Sequence, residues 1–239
     1  MNDFDHKNIA IIGGTSGIGA AIVQELMQTK ANLYLACRSE PAEDIKDKVT
    51  HIKLDVLNIG EELNELPDEL HGLVYCPGTI TLKPFQGLKA EDYMNDLQIN
   101  VLGAIKVIEQ SIKKLRNAKG ASIVLFSTVA VQVGLNYHTS VATAKGALEG
   151  FGRSLAAEFA SKHIRVNLVA PSLTDTPLAS NLLSSDEKRE ASDQRHPLGR
   201  YGKPADIANM VIYLLSEKSS WITGQVMHID GGLSSLKTL

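Results

Sequence analysis

A histidine and a lysine seven positions apart are the first candidates for chemistry in this chain of 239 residues. They end the segment HTSVATAK, which runs from His138 to Lys145. At about 100° of rotation per helical residue, positions seven apart lie about 20° apart around a helix, two turns along its axis. Histidine side chains gain and lose a proton near neutral pH, so His138 is a candidate proton donor. The alternative is a capping or surface histidine at the start of a helix.

A glycine-rich turn near the N-terminus is the second candidate. In IGGTSGIGAAIVQEL, Gly13, Gly17 and Gly19 have the spacing Gly-x-x-x-Gly-x-Gly, with Ser16 and Ile18 between them. Glycines at such positions allow a tight turn, a close approach of backbone to pyrophosphate, and close packing of the next helix. An apolar run precedes the turn and an amphipathic segment follows it, so the pattern predicts a phosphate-binding turn at a helix N-terminus.

The elements that must position these residues alternate along the chain. Short apolar runs predict strands, and they alternate with segments of helical spacing such as 18–27 and 144–159. The runs are NIAIIG, ANLYLAC, GLVYC, ASIVLF and IRVNLVA. Strands that are apolar on both faces and joined by helices predict a doubly wound parallel α/β sheet of the Rossmann type. We expect a single domain over 1–239. Residues 176–199 are interpreted as an insertion that covers the substrate, or alternatively as a surface helical pair.

Composition restricts the ligands and the location. A net charge of -3 and a pI near 6.2 give no electrostatic reason to expect nucleic acid or a membrane as a partner, which favours a small-molecule substrate. The N-terminal residues fit neither a secretory signal nor a spanning helix, so we expect a cytoplasmic protein. The two cysteines, Cys37 and Cys76, lie in apolar segments and are expected to be buried free thiols, with no metal site.

Seven blocks in the same order as in a known family extend over nearly the whole chain, which resembles a short-chain dehydrogenase/reductase. The blocks are the glycine turn at 13–19, LDV at 54–56, QINVLGA with Asn100, AKGALEGFGRSLAAEF with Lys145, IRVNLVAPSLTDT at 164–176, HPLGRYGKPADIA at 196–208 and ITGQVMHIDGG at 222–232. The resemblance implies a nicotinamide dinucleotide cofactor and a dimer or homotetramer packed through the long helices that hold Asn100 and Lys145.

The resemblance also implies individual roles around the cofactor. Asp55 would bind the adenine edge, Val56 would line the adenine ring, and Thr176 would reach the nicotinamide carboxamide. Considered alone, Asp55 is an acidic residue at a strand end and Thr176 a helix N-cap. Gly78, in a YCPG segment where relatives often have NNAG, and Pro171 complete the predicted cofactor-binding set.

The end of the second predicted strand indicates which dinucleotide is bound. A carboxylate at this place accepts hydrogen bonds from the ribose 2'-hydroxyl of NAD, whereas an arginine binds the 2'-phosphate of NADP. Here the segment LACRSE has Cys37 where an NAD-preferring relative would carry Asp, and Arg38 follows. We therefore favour NADP(H) over NAD(H); Ser39 is also compatible with a phosphate. A solvated Arg38 at a strand end is the alternative.

The usual proton donor of the family is missing. The resemblance implies a Tyr four residues before Lys145, where this chain has Val141, which has no dissociable proton. In the family the lysine holds the nicotinamide ribose, a serine polarises the carbonyl and an asparagine, here Asn100, supports a water relay. The usual serine position falls on Thr128, with Ser127 beside it.

Two residues could replace the tyrosine. Enoyl-thioester reductases of the same superfamily place their Tyr seven residues before the Lys, where this chain has His138, with Tyr137 as its neighbour. The sequence therefore predicts an NADP(H)-dependent oxidoreductase that transfers hydride to or from a small carbonyl or enoyl substrate and has a displaced proton donor. The alternative is a dinucleotide-binding pseudoenzyme or sensor that lacks turnover.

Overall fold

Seven parallel strands form one sheet at the centre of the computed structural model, which describes residues 2–237. The strand order is β3-β2-β1-β4-β5-β6-β7, and each neighbouring pair is parallel. The strands are β1 Asn8–Ile12, β2 Asn32–Cys37, β3 Thr50–Lys53, β4 Gly72–Tyr75, β5 Ala121–Phe126, β6 Ile164–Pro171 and β7 Val226–Ile229. This order confirms the predicted doubly wound Rossmann-type fold.

Helices cover both faces of the sheet. They are α1 Gly17–Leu26, α2 Ala90–Leu97, α3 Gly103–Asn117, α4 Thr139–Phe159, α5 Asp186–Arg195 and α6 Pro204–Leu215, with a π-helical turn at Gln98–Leu102 between α2 and α3. Buried side chains of α1 and α6 pack in one apolar core, and those of α3 and α4 pack in the other. Two buried faces explain why the central strands are largely apolar; all six residues of β5 are buried.

The order of the strands reverses beside β1. Strand β1 pairs with β2 on one side and with β4 on the other, so the connections leave the sheet in opposite directions. In open α/β sheets a ligand binds in the crevice at this point, outside the carboxyl ends of the strands. The fold therefore puts the glycine turn after β1, the end of β2 and the loop after β4 around one crevice.

Helix α4 begins five residues before its predicted start. Apolar spacing predicted a helix over 144–159, whereas the helix is Thr139–Phe159. The extra first turn contains Ser140, whose Oγ donates a hydrogen bond of 2.6 Å to Asp96 of α2. A polar contact between helices fixes this turn. The spacing of apolar residues cannot predict such a contact, so the predicted helix starts too late.

The segment 176–199 forms two short helical pieces beside the crevice. A 3-10 helix at Pro177–Leu183 is followed by α5, and Ala179 and Leu183 are buried. Across residues 2–237, no helix is long and apolar enough to cross a membrane. The same residues contain no group of three or more His, Cys, Asp or Glu placed to hold a metal ion.

The central strand β4 gives a test of the core. Leu73 is fully buried there, so Leu73→Ala removes apolar contacts and leaves a cavity. We expect the free energy of unfolding in urea to fall by about 2–5 kcal/mol. Leu198→Ala is the matched control, because Leu198 is 73% exposed and its truncation should change stability by less than about 0.5 kcal/mol. Equal effects of the two substitutions would contradict this account of the core.

Candidate functional site

A cavity of about 1200 Å³ opens at the carboxyl ends of the strands. The glycine turn, the ends of β2, β4, β5 and β6, the start of α4 and the segment 176–199 all contribute to its wall. Most of the predicted site residues line it: Gly13, Ser16, Gly17, Ile18, Gly19, Arg38, Asp55, Val56, Gly78, Ser127, Thr128, His138, Lys145, Pro171 and Thr176. The fold thus brings residues from distant parts of the sequence to one cavity.

The glycine turn has the backbone that its spacing predicts. Gly13 and Gly17 have φ angles of +75° and +54°, a region in which glycine is favoured. A Cβ on Gly19 would lie 2.5 Å from the carbonyl oxygen of Gly13, so the turn leaves no room for a side chain there. Ser16 precedes α1, whose first backbone N–H groups point out of the helix, as such groups do at every helix N-terminus. The turn is a cradle suited to an anion such as pyrophosphate.

The predicted adenosine end of the cavity lies beside the ends of β2 and β3. Arg38 and Ser39 are exposed at the end of β2, and the Asp55 carboxylate accepts a hydrogen bond of 3.1 Å from the Leu57 N–H. Cys37 is buried, and burial raises the pKa of its thiol to about 11. Cys37 is therefore a neutral thiol at physiological pH, and Arg38 supplies the charge that faces this end of the cavity.

Lys145 lies at the centre of the cavity wall and is only 7% exposed. Its Nζ donates a hydrogen bond of 2.8 Å to the Phe126 carbonyl oxygen at the end of β5. Burial lowers the pKa of this amine to about 8, because a charged group is less stable away from water. Cys76 also lines the cavity wall and is half-buried, rather than buried as predicted.

Asn100 stands behind this wall, in the π-helical turn between α2 and α3. Its Nδ2 donates to the Asp96 carbonyl oxygen at 2.8 Å and to Thr79 Oγ1 at 2.9 Å. A Cβ on Gly78 would lie 3.1 Å from Asn100 Oδ1 and 3.5 Å from Lys145 Nζ. The bare backbone of Gly78 therefore lets the Asn100 amide oxygen and the Lys145 ammonium approach the same place.

The two hydroxyl candidates after β5 differ in what they can donate. Ser127 Oγ donates its hydrogen to Glu149 Oε1 at 2.6 Å, and Glu149 is paired with Arg153 at 2.9 Å. Thr128 Oγ1 accepts a hydrogen bond of 3.3 Å from the Ala130 N–H, and no acceptor within residues 2–237 takes its hydrogen. Thr128 is consequently the hydroxyl that remains able to donate to a substrate oxygen.

The position of the missing tyrosine is apolar and buried. Val141 lines the cavity and is 3% exposed. His138, at the start of α4, also lines the cavity, and its Nδ1 lies 2.6 Å from the Asn136 carbonyl oxygen. A carbonyl can only accept, so Nδ1 carries a hydrogen and Nε2 remains for another partner. Tyr137 is 57% exposed and does not line the cavity, so of the two candidates only His138 is placed at the site.

A second histidine of the cavity, His196, is not among the residues that the sequence indicates. His196 is buried, with Nδ1 2.6 Å from the Ser192 carbonyl oxygen and Nε2 2.9 Å from Ser172 Oγ. The carbonyl fixes the hydrogen on Nδ1, so Ser172 donates to Nε2 when the ring is neutral. Both residues line the cavity. Their family blocks, HPLGRYGKPADIA and IRVNLVAPSLTDT, were recognised, but nothing in the sequence pairs the two side chains.

Comparison with known proteins gives consistent matches over most of the chain. The family model described as enoyl-(acyl carrier protein) reductase matches residues 13–234. A tropinone reductase homologue of Arabidopsis thaliana is 32% identical over 242 residues, which cover 95% of this chain and 92% of that protein. A 3-oxoacyl-[acyl-carrier-protein] reductase of Aquifex aeolicus is 30% identical over 238 residues, covering 93% and 95% of the two chains.

Solved structures resemble this fold closely. The structure of ElxO with NADP bound has a TM-score of 0.88 and 25% identity, covering 97% of this chain and 100% of that one.

The buried Lys145 gives a pH-dependent prediction for stability. Its pKa is about 8 in the folded protein and 10.5 in its ordinary state, so unfolding takes up a proton between these values. Stability then rises with pH in that window, by up to about 1.4 kcal/mol for each pH unit. We expect Lys145→Met to be more stable than wild type at pH 7 and the difference to shrink by pH 10. Urea unfolding at both pH values measures it; a pH-independent difference would show that Lys145 keeps its ordinary pKa.

Proposed function

The chain belongs to the short-chain dehydrogenase/reductase superfamily of oxidoreductases, and from this premise we propose that it transfers hydride between NADP(H) and a small carbonyl or enoyl substrate. The observation that carries the proposal is the single cavity that joins the glycine turn, Arg38 and Lys145. The glycine turn suits a pyrophosphate, Arg38 suits a 2'-phosphate and Lys145 suits a ribose. Together they match a phosphorylated dinucleotide from end to end.

The residues present fit the cofactor. The turn at Gly13, Gly17 and Gly19 excludes side chains where a pyrophosphate would approach backbone. Asp55 and Val56 would hold the adenine, Lys145 and Asn100 the nicotinamide ribose, and Pro171 and Thr176 the nicotinamide. All six of these residues except Asn100 line the cavity together with the turn. A bound NADPH would supply the hydride, while the chain would supply its position and a proton.

Arg38 favours the phosphorylated form of the cofactor. Its guanidinium stays charged and offers a planar set of donors that match a phosphate. Glu40, two residues after Arg38, also lines the cavity, and its carboxylate lies 3.2 Å from His51 Nδ1. The similar structure of ElxO contains NADP, which supports the same preference here.

Two side chains of the cavity, Thr128 and His138, would carry out the remaining chemistry on the substrate. Thr128 can donate a hydrogen bond to a substrate oxygen and so favours negative charge that develops there during hydride transfer. His138 offers Nε2 to the cavity and would deliver the proton that Val141 cannot. The segment 176–199 lies along the substrate end, where it would cover the substrate. A carbonyl and a polarised C=C bond both suit this arrangement.

The Val141 position favours a second candidate function, a dinucleotide-binding protein without turnover. A buried valine lies where a tyrosine would donate the proton, and the cofactor cradle does not depend on that side chain. The chain would then act as a sensor of NADP(H). The experiments below separate the two functions.

Assembly is also part of the proposal. We expect a dimer or tetramer that packs through the helices holding Asn100 and Lys145. The exposed apolar side chains of Met94 and Leu102, on α2 and the turn that follows it, support this surface.

Cofactor preference tests the role of Arg38. Wild type should bind NADPH at least about tenfold more tightly than NADH, which corresponds to about 1.4 kcal/mol. Arg38→Leu should remove this difference by weakening NADPH, because only NADPH has the 2'-phosphate. Fluorescence titration with both cofactors measures the ratio. Arg116→Leu, at an exposed arginine outside the cavity, is the control and should leave the ratio unchanged; equal wild-type affinities would remove Arg38 from the site.

Turnover tests the role of His138. NADPH oxidation should be screened with aldehydes, ketones, quinones and 2-enoyl thioesters. With the best substrate, His138→Ala should lower turnover by about 10²-fold or more and leave NADPH affinity nearly unchanged, because general acid catalysis contributes that much. His228→Ala, at an exposed histidine of β7, is the control.

Each of the other outcomes of this screen would support a different alternative. Activity that survives His138→Ala but falls in His196→Ala would make His196 the acid. A wild-type protein that is inert with every substrate, and that gains carbonyl reduction on Val141→Tyr, would support the sensor. Selectivity for 2-enoyl thioesters would favour C=C over C=O reduction.

A further inference from the structure

A carboxylate with no contact to solvent lies directly behind the cavity wall. Asp96 of α2 is 0% exposed, and three hydroxyl groups donate to it. Thr79 Oγ1 lies at 2.6 Å and Thr81 Oγ1 at 3.0 Å from Oδ1, and Ser140 Oγ lies at 2.6 Å from Oδ2. A buried carboxylate is expensive in free energy unless it is hydrogen-bonded, and the three hydroxyl groups supply these hydrogen bonds to Asp96.

These three donors come from the two segments that build the site. Thr79 and Thr81 follow Gly78 in the loop after β4, and Ser140 stands immediately before Val141 in the first turn of α4. The carboxylate therefore fixes the start of the helix that holds Lys145 against the loop that holds Gly78. It was not among the residues that the sequence indicated.

The same contacts orient Asn100. Thr79 uses its one hydroxyl hydrogen on Asp96, so its oxygen accepts from Asn100 Nδ2 at 2.9 Å. The Asp96 backbone carbonyl accepts from the same nitrogen at 2.8 Å. With Nδ2 held by both, Asn100 Oδ1 must point the other way, toward the place that it shares with Lys145 Nζ beside Gly78.

The other ionisable groups around Lys145 in the described chain are neutral, or they are already paired with another charge. Burial raises the pKa of the Cys76 thiol to about 12, so this thiol is neutral at physiological pH. Glu149, one turn further along α4, is paired with Arg153. The Asp92 carboxylate, one turn before Asp96, is paired with Lys83. His138, at the start of α4, has its Nδ1 on a carbonyl and carries no negative charge.

We propose that Asp96 is a positioning residue of this site, whose carboxylate, held by Thr79, Thr81 and Ser140, is the counter-charge of the Lys145 ammonium. The attraction of Asp96 opposes the effect of burial on the pKa of Lys145. Its consequence for cofactor binding rests on the proposed function, because a charged Lys145 binds an anionic dinucleotide better than a neutral one. The effect on Lys145 itself exists without any ligand.

The first measurement therefore uses the cofactor-free protein. The Cε shifts of ¹³C-lysine-labelled protein are followed from about pH 6 to about pH 11, and Lys145→Met identifies the signal of Lys145. The wild-type midpoint is expected at about 8. Asp96→Asn should lower it by at least about one pH unit, which is a tenfold loss of proton affinity.

Two further variants keep this test decisive. Thr81→Val removes one hydroxyl but keeps the carboxylate, so the midpoint should move by less than half as much as in Asp96→Asn. Asp96→Ala also removes the charge. The smaller alanine side chain leaves space for water, which can accept hydrogen bonds from the three hydroxyl groups. This variant must therefore lower the Lys145 midpoint as Asp96→Asn does. A midpoint that is unchanged in both Asp96 variants would overturn the proposal.

The second measurement is NADPH affinity as a function of pH. Asp96→Asn should weaken binding several-fold at about pH 8 but little at about pH 6, where Lys145 is charged in both proteins. The weakening should disappear in a Lys145→Met background, and its persistence there would show that Asp96 acts through the fold alone. A wild type that binds no NADPH would refute the proposed function, while the midpoints would still decide the role of Asp96.

Discussion

The burial of one ammonium group constrains the rest of this site. Lys145 has to face the cavity from the second turn of α4, yet the fold encloses its long side chain and removes most of its water. The Phe126 carbonyl oxygen replaces one of the hydrogen bonds that the ammonium would make to water. No carboxylate of the described chain forms a direct ion pair with Lys145. A direct partner would neutralise the charge that a ribose and phosphates are expected to meet. A carboxylate set back behind Asn100 stabilises the charge and leaves the ammonium facing the cavity.

The π-helical turn is what makes this arrangement possible. An α-helix that continued from α2 into α3 would keep Asn100 in regular register, whereas one wider turn displaces its side chain toward the loop after β4. Such turns occur often at functional sites. Gly78 is the matching feature of the loop, because a side chain there would stand 3.1 Å from the Asn100 amide oxygen.

The sequence predicts those parts of the molecule that depend on local patterns. Apolar runs predict β1, β2, β4, β5 and β6, but not β3 or β7, which are short and partly exposed. The spacing of Gly13, Gly17 and Gly19 predicts a turn, and the structure has the φ angles and the lack of space for side chains that such a turn needs. Arg38 could be placed because it directly follows a predicted strand. In each case the physical cause lies within about ten residues of its effect.

The rest of the site could not be predicted, because it depends on pairs of polar side chains from distant segments. Asp96 meets Ser140 across 44 positions, and Ser172 meets His196 across 24. Each of these four residues, considered alone, is an ordinary polar residue of a helix or loop. Only the packing of α2 on α4, and of the segment after β6 on the end of α5, turns them into buried pairs.

Binding and proton transfer depend on different kinds of structure in this fold, which explains how Val141 can coexist with an intact cavity. The pyrophosphate cradle is made of backbone, so its shape depends on glycine positions and on the start of α1 rather than on any side chain of α4. A proton donor is one side chain, and replacing it with valine leaves the backbone unchanged. The anchoring of α4 lies at Ser140, next to Val141 but pointing to Asp96. The contact that anchors the first turn of α4 therefore does not use the side chain at position 141.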